Sequence, residues 1–177
     1  MRLDEWIDDR AARLSDEGIL DRVMYAASWF GDDGKGWIAA SLVQSARRPR
    51  PVHRFARHLI WLGIESAVVN GPAKGIVRRP RPAARARVHP VRRPNNSSFP
   101  SGHAASAATM AMLLSEDGFA PLWWTVAFVV AGSRVYVGVH HASDVAAGLA
   151  VGTAIGWAAR HIDLPIVDQP SSPDPAH

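Results

Sequence analysis

The chain has no cysteine among its 177 residues. That excludes disulfide stapling, thiolate nucleophiles and cysteine-ligated metals, and leaves the redox compartment open. Lysine is nearly absent too: of the 20 basic residues 18 are arginine, and only Lys35 and Lys74 are lysine. Arginine carries a forked set of donors suited to phosphate or carboxylate, so an anionic partner is expected. No stretch alternates with the period of two that marks a half-buried strand, and neither an internal repeat nor a Cys/His metal spacing is found. The N-terminal stretch MRLDEWIDDRAARLSDEG lacks the apolar centre of a cleavable secretory signal, so a soluble exported enzyme is not expected.

What is present is a set of apolar, small-residue runs separated by arginine. The length suits one domain with a real core. Mean hydropathy is −0.05, but the arginine-rich connectors hold that average down, and the segments have to be read one at a time. Leu3, Trp6, Ile7, Ala11 and Leu14 share one face of a short amphipathic helix over 1–18, with Asp4, Asp8 and Asp9 elsewhere. Such a helix either packs on the domain or lies on a membrane surface. ILDRVMYAASWF and GWIAASLVQSA come next, split by GDDGK, each too short to cross a bilayer alone. RRPRPVHR (47–54) reads as a connector, and 55–77 as a long apolar helix in which Glu65 and Asn70 make polar contacts to other helices.

Four prolines exclude a regular helix over 78–98. Three further helical runs cover 103–114, 122–139 and 142–162, rich in Ala, Gly, Ser and Thr, with Trp123, Trp124 and Trp157 near their ends as interface anchors. The expected fold is all-α: an integral membrane bundle of about five to six helices over 19–164, a multi-pass protein of the cell membrane, followed by a disordered tail over 165–177.

Three stretches hold polar groups that a bundle does not bury without a reason. They are Lys74 with Arg81, PSGH at 100–103, and SRVYVGVHHASD at 133–144. Lys74, Arg81 and Arg134 supply three fixed positive charges, enough to neutralise a phosphate and the charge that builds on its oxygens during transfer, with no metal or cofactor. Ser101, Gly102 and His103 open a helix, so their backbone N–H groups and the helix dipole face an anion, and Ser101 can add a hydroxyl donor. His103 can pass a proton to a departing oxygen. His140 and Asp144 share a helical face if that helix begins near Val139, which would let Asp144 hold one ring nitrogen as N–H and free the other to attack phosphorus.

The order K-x6-R-P, P-S-G-H and S-R-x5-H-x3-D resembles that of the type 2 phosphatidic acid phosphatase family at all eleven fixed positions, across Lys74 to Asp144. At about one in twenty per position, chance does not produce this agreement. The resemblance implies that His140 forms a phosphohistidine later hydrolysed by water, that Asp144 orients it, and that His103 protonates the leaving group. It further implies that Lys74, Arg81, Ser101, Gly102 and Arg134 cradle the phosphate. In size and Ala/Arg-rich style the chain is most similar to the decaprenylphosphoryl-5-phosphoribose phosphatases of that family.

Taken singly, each piece has a duller reading: a solvated basic pair, a turn, a surface His–Asp pair. Their conjunction favours catalysis. A metal site of His103, His140, His141 and Asp144 is disfavoured, because adjacent histidines on a helix point apart. Arg78, Arg79, Arg85, Arg87, Arg92 and Arg93 exceed what one phosphate requires and are expected to steer anionic headgroups or hold membrane lipids. No nucleic-acid partner is expected, since the basic stretch has no interleaved aromatics. Homo-oligomer formation stays open. The expected substrate is a lipid phosphate: phosphatidic acid, phosphatidylglycerophosphate, an isoprenyl diphosphate or an isoprenyl-linked sugar phosphate.

Overall fold

A computed structural model describes residues 3–14, 18–83, 93 and 95–162. The tail over 165–177 and Arg85, Arg87 and Arg92 of the basic connector lie outside the described residues. The described residues form helices and turns without a strand. A short α1 (Leu3–Arg13) precedes a broken pair, α2 (Ile19–Gly31) and α3 (Lys35–Ala46), joined by a single 3-10 turn. Then come α4 (Pro51–Val68), a π turn over Val69–Ala73, the one-turn α5 (Lys74–Ile76), α6 (Gly102–Leu114), α7 (Ala120–Tyr136) and α8 (Ala142–His161).

Helix α6 is the axis of the bundle. Ten of its thirteen residues are buried, and most of those are Ala, Ser or Thr, because other helices pack on every side of it. The closest partner is α8, which presents Gly148, Gly152 and Gly156 at a spacing of four. A Cβ on Gly152 would stand 2.1 Å from the Ala105 carbonyl oxygen, and one on Gly148 2.4 Å from that of Ser101. Backbone therefore meets backbone, and Thr109 Oγ1 donates to the Gly152 carbonyl at 3.0 Å across the seam. Larger side chains, Trp37, Trp61, Met110, Leu113 and Leu114, fill the space toward α3 and α4. The periphery is apolar instead: Trp29, Leu42, Phe128 and Trp157 are half or more exposed. Small groups inside with large apolar groups outside is the arrangement of helices packed in lipid. Among the described residues only α8, with a mean hydropathy of 1.2 over its best window, is long and apolar enough to cross a bilayer alone.

Helix α4 begins at Pro51, so 51–54 is its first turn and not part of a connector; proline at N1 has its φ already set and its missing N–H costs nothing there. Nor does that helix run uninterrupted to Val77. It widens into the π turn around Pro72, which has no N–H to give. Helix α8 starts at Ala142 with His141 as its N-cap, leaving His140 in the preceding turn.

The acidic face of α1 is the one that packs. Asp4 accepts from Arg79 Nη2 at 2.7 Å and from the Ser143 N–H at 3.0 Å, and Asp8 pairs with His141 Nδ1 at 2.7 Å. Leu3 is left 73% exposed and Leu14 59%. The start of α8 and Arg79 offer donors that the carboxylates of α1 satisfy, so charge overrides the apolar stripe in orienting this helix.

At the opposite end of the bundle a separate ion cluster ties α4 and α8 to the 3-10 turn that follows α6. Arg54 pairs with Asp117, Arg57 with Glu116 at 2.7 Å, and Arg160 with Glu116 at 3.6 Å. Asp117, held by Gln44 and Arg54 despite partial burial, stays below the usual carboxylate range.

Candidate active site

Each sequence-predicted group arrives at the site from a different element. Lys74 follows the π turn, and its Nζ donates to Asn70 Oδ1 at 2.7 Å, one helical turn back. Asn70 in turn donates to Ser66 Oγ at 3.1 Å. Arg81 lies in the extended stretch after α5. Its Nε donates to the Asn96 carbonyl, and its Nη1 to the Val139 carbonyl at 3.0 Å. Arg134, near the end of α7, is 2% exposed. It donates to Ser28 Oγ and lies 4.0 Å from Asp32, while its buried Nε has no protein partner among the described residues.

Lys74, Arg81, Gly102, His103, Arg134 and His140 all line one cavity of about 460 Å³. A Cβ on Gly102 would stand 3.4 Å from Asn70 Oδ1 and 3.9 Å from Lys74 Nζ, so the glycine leaves room beside the ammonium.

The tautomer of His140 is set by its neighbours. Nδ1 lies 2.7 Å from the Ser98 carbonyl oxygen, which can only accept, so Nδ1 carries the proton. Nε2 then bears the lone pair, and it faces Arg81 Nη1 at 3.3 Å in the cavity. Burial, with the charges of Arg134 and Arg81 adding to it against Asp144, pushes the His140 ring down to about 4. The imidazole is therefore neutral at physiological pH.

Asp144 reaches this site by another route than a shared helical face. Occupying the third position of α8, it accepts from the His141 N–H at 2.9 Å in a capping box, and its other oxygen takes Arg79 Nη1 at 2.7 Å. Its nearer oxygen is 3.8 Å from His140 Nδ1, an ion-pair distance and too long for a hydrogen bond. Ser98 thus holds the ring directly and Asp144 acts on it through space.

Ser101 stands behind the cavity. It is fully buried, its N–H donates to the Asp144 carbonyl at 3.0 Å, and its hydroxyl caps the Ala104 N–H at 3.5 Å. The free first-turn donors of α6 are those of Gly102 and His103, not of Ser101. His141 turns away to Asp8 on α1.

Three further residues escape sequence reasoning. Asp32 sits at the break between α2 and α3 and binds His103 Nε2 at 2.8 Å. An acidic pair amid embedded runs, the DD of GDDGK, was the available signal. Arg79 is no surplus arginine: it bridges Asp144 and Asp4 at 2.7 Å each. Ser98 acts through its carbonyl, which no side-chain motif can announce.

The model of the PAP2 superfamily matches residues 54–166, a span that includes every predicted catalytic and phosphate-cradling residue and excludes Asp32 and α1. The chain belongs to the PAP2 superfamily. It is 36% identical over 134 residues to the decaprenylphosphoryl-5-phosphoribose phosphatase of Mycobacterium tuberculosis, covering 73% of this chain and 72% of that one. Its fold is similar to that of a transmembrane PAP2-type phosphatidylglycerolphosphate phosphatase from Bacillus subtilis, with a TM-score of 0.73 at 23% identity over 89% of this chain and 83% of the other. LpxE of Aquifex aeolicus gives 0.75 at 22% identity over 92% and 97%. This PAP2 member is a phosphatase and a membrane protein built as a helical bundle.

Proposed function

We propose that this PAP2 phosphatase removes a terminal phosphate from a membrane lipid by way of a phosphohistidine on His140. The reading is carried by one observation: His140, its Nδ1 held by the Ser98 carbonyl, turns its Nε2 lone pair to the same cavity as three cationic side chains and a second histidine. His140 Nε2 attacks phosphorus. A P–N bond forms, the P–O bond to the lipid breaks, and His103 delivers the proton that the departing oxygen needs. Lys74, Arg81, Arg134 and the first N–H groups of α6 take up the charge on the equatorial oxygens. The Ser98 carbonyl and the Asp144 carboxylate stabilise the positive ring once it is phosphorylated. Asp32 compensates the charge of His103 as an imidazolium. Water then attacks phosphorus, returns a proton to His103 and releases inorganic phosphate, which restores His140.

The favoured substrate is an isoprenoid-linked sugar phosphate of the decaprenylphosphoryl-5-phosphoribose kind, supported by the similarity to the mycobacterial enzyme over most of both chains. An undecaprenyl or decaprenyl diphosphate and phosphatidylglycerophosphate are the competing substrates, and the protein is placed in the cell membrane as a multi-pass chain. A phosphate-release panel of these lipids on purified protein tests the reading. His140→Ala is expected to lower turnover by at least about 10⁴-fold and to abolish an acid-labile phosphoenzyme. Turnover retained by His140→Ala would sink it.

A further inference from the structure

The cavity is larger than phosphate transfer requires. At about 460 Å³ it falls within the roughly 300–1,000 Å³ of small-molecule sites. Past the cations its wall is formed by Leu62, Glu65, Ser66 and Asn70 of α4 and the π turn. Leu62 is the one apolar member of that group. A polyprenyl chain has little to bury against here.

Glu65 is the unexplained group. It is 2% exposed, lines the cavity, and has one buried carboxyl oxygen, Oε1, without a hydrogen-bond partner among the described residues. No residue in the proposed reaction uses it. The neighbouring polar side chains Lys74, Asn70 and Ser66 are tied to one another, and none of them hydrogen-bonds Glu65 Oε1. A buried acceptor left unpaired costs about 1–3 kcal/mol, so its retention at the wall of a ligand site points to a donor supplied by the ligand. A fully ionised phosphate offers no donor. A hydroxyl does.

We infer that Glu65 forms a subsite that accepts a hydroxyl from the leaving group, so that the enzyme selects phosphomonoesters of a polyol or sugar over those of a plain prenyl alcohol and over prenyl diphosphates. The inference rests on the phosphatase reading and adds its selectivity. A second, fully ionised phosphate brings only acceptors to Glu65 and Asp32, whereas a ribosyl or glyceryl headgroup brings hydroxyl donors. A site built to bind a hydroxyl discriminates strongly against an analogue that lacks it, because the acceptor is then left unpaired.

The test compares three phosphates in detergent: a short-chain prenylphosphoryl-5-phosphoribose, its 2,3-dideoxy analogue, and farnesyl phosphate. Wild-type protein is expected to favour the first over the second by at least about tenfold in kcat/KM. Glu65→Gln is expected to lose that preference while keeping its activity on farnesyl phosphate within about twofold. Each comparison is a ratio taken on one sample, so a loss of folded protein cancels, and the wild-type arm needs no variant. Equal rates for the ribosyl and dideoxy substrates on wild type, or an equal fall on all three in Glu65→Gln, would overturn the subsite. Failure of wild type to release phosphate from any of the three would instead remove the phosphatase reading beneath it.

Discussion

On the proposed mechanism, His140 carries the chemistry in one ring. Its Nδ1 proton is fixed by a backbone carbonyl, its Nε2 is aimed at the cavity, and burial holds it neutral. A depressed imidazole pKa has a definite sign in both activity and stability. Above about 4 the folded ring is unprotonated and able to attack, so the acid limb of kcat/KM is expected with an apparent pKa of about 4 and not at the ordinary 6.5. Between 6.5 and 4 the unfolded chain takes up a proton that the folded site refuses, so this residue erodes stability as pH falls through that window. An acid limb centred at 6.5 would show that burial does not depress the attacking ring.

Asp32 is testable through the leaving group. If it supports His103 as proton donor, Asp32→Asn should slow a lipid phosphate by about 10²-fold. It should have far less effect on p-nitrophenyl phosphate, whose leaving group needs no proton. An equal effect on both substrates would reduce Asp32 to a structural role. Asp4, Arg79 and Asp144 form a second chain of charge beside the site. Arg79, held between two carboxylates despite the cost of partial burial, stays above its usual range, and Asp4 drops to about 2.

At the scale of elements, most of the helices were legible because apolar runs bounded by Pro, Gly and Ser leave few alternatives. The expected runs at 103–114 and 142–162 fall on α6 and α8 nearly residue for residue. Their ends were not legible. Whether Pro51 terminates a connector or opens a helix depends on how the residues after it pack, and His140 leaves α8 because His141 and Asp144 cap each other. The orientation of α1 is the larger departure, since no property of that helix reveals that Arg79 and Ser143 await its carboxylates. The α6 and α8 seam yields a stability prediction. Gly152→Ala puts a methyl 2.1 Å from a backbone oxygen, and backbone cannot move aside as a side chain can. It is expected to cost about 1–3 kcal/mol and to lower Tm in detergent. An unchanged Tm would mean that the two backbones do not meet at this glycine.

For the whole molecule, the relevant design is a bundle whose two ends carry different charge networks. One is a closed ion cluster around Glu116 and Asp117, and the other is a cavity that keeps cations facing inward. The closed cluster fixes the helix ends, and on the proposed reading a phosphate completes the open one. On the proposed mechanism, the three cations lining that cavity take the place a metal ion fills in other phosphoryl-transfer sites. Turnover is accordingly expected to persist in EDTA and to fall with vanadate, a mimic of five-coordinate phosphorus. Loss of activity in EDTA with recovery on adding zinc would contradict that account.

The order and spacing of the eleven motif residues determined the family, and the small-residue runs the helical class; the same motifs nominated the two histidines. Those features are covalent or local, and a linear chain displays them directly. Tertiary structure alone decided that a carbonyl of Ser98 holds His140, that Asp32 arrives from a helix break 71 residues away to bind His103, and that Glu65 is buried at the cavity wall. Each of these depends on where another element places its backbone, and no local pattern of residues carries that information.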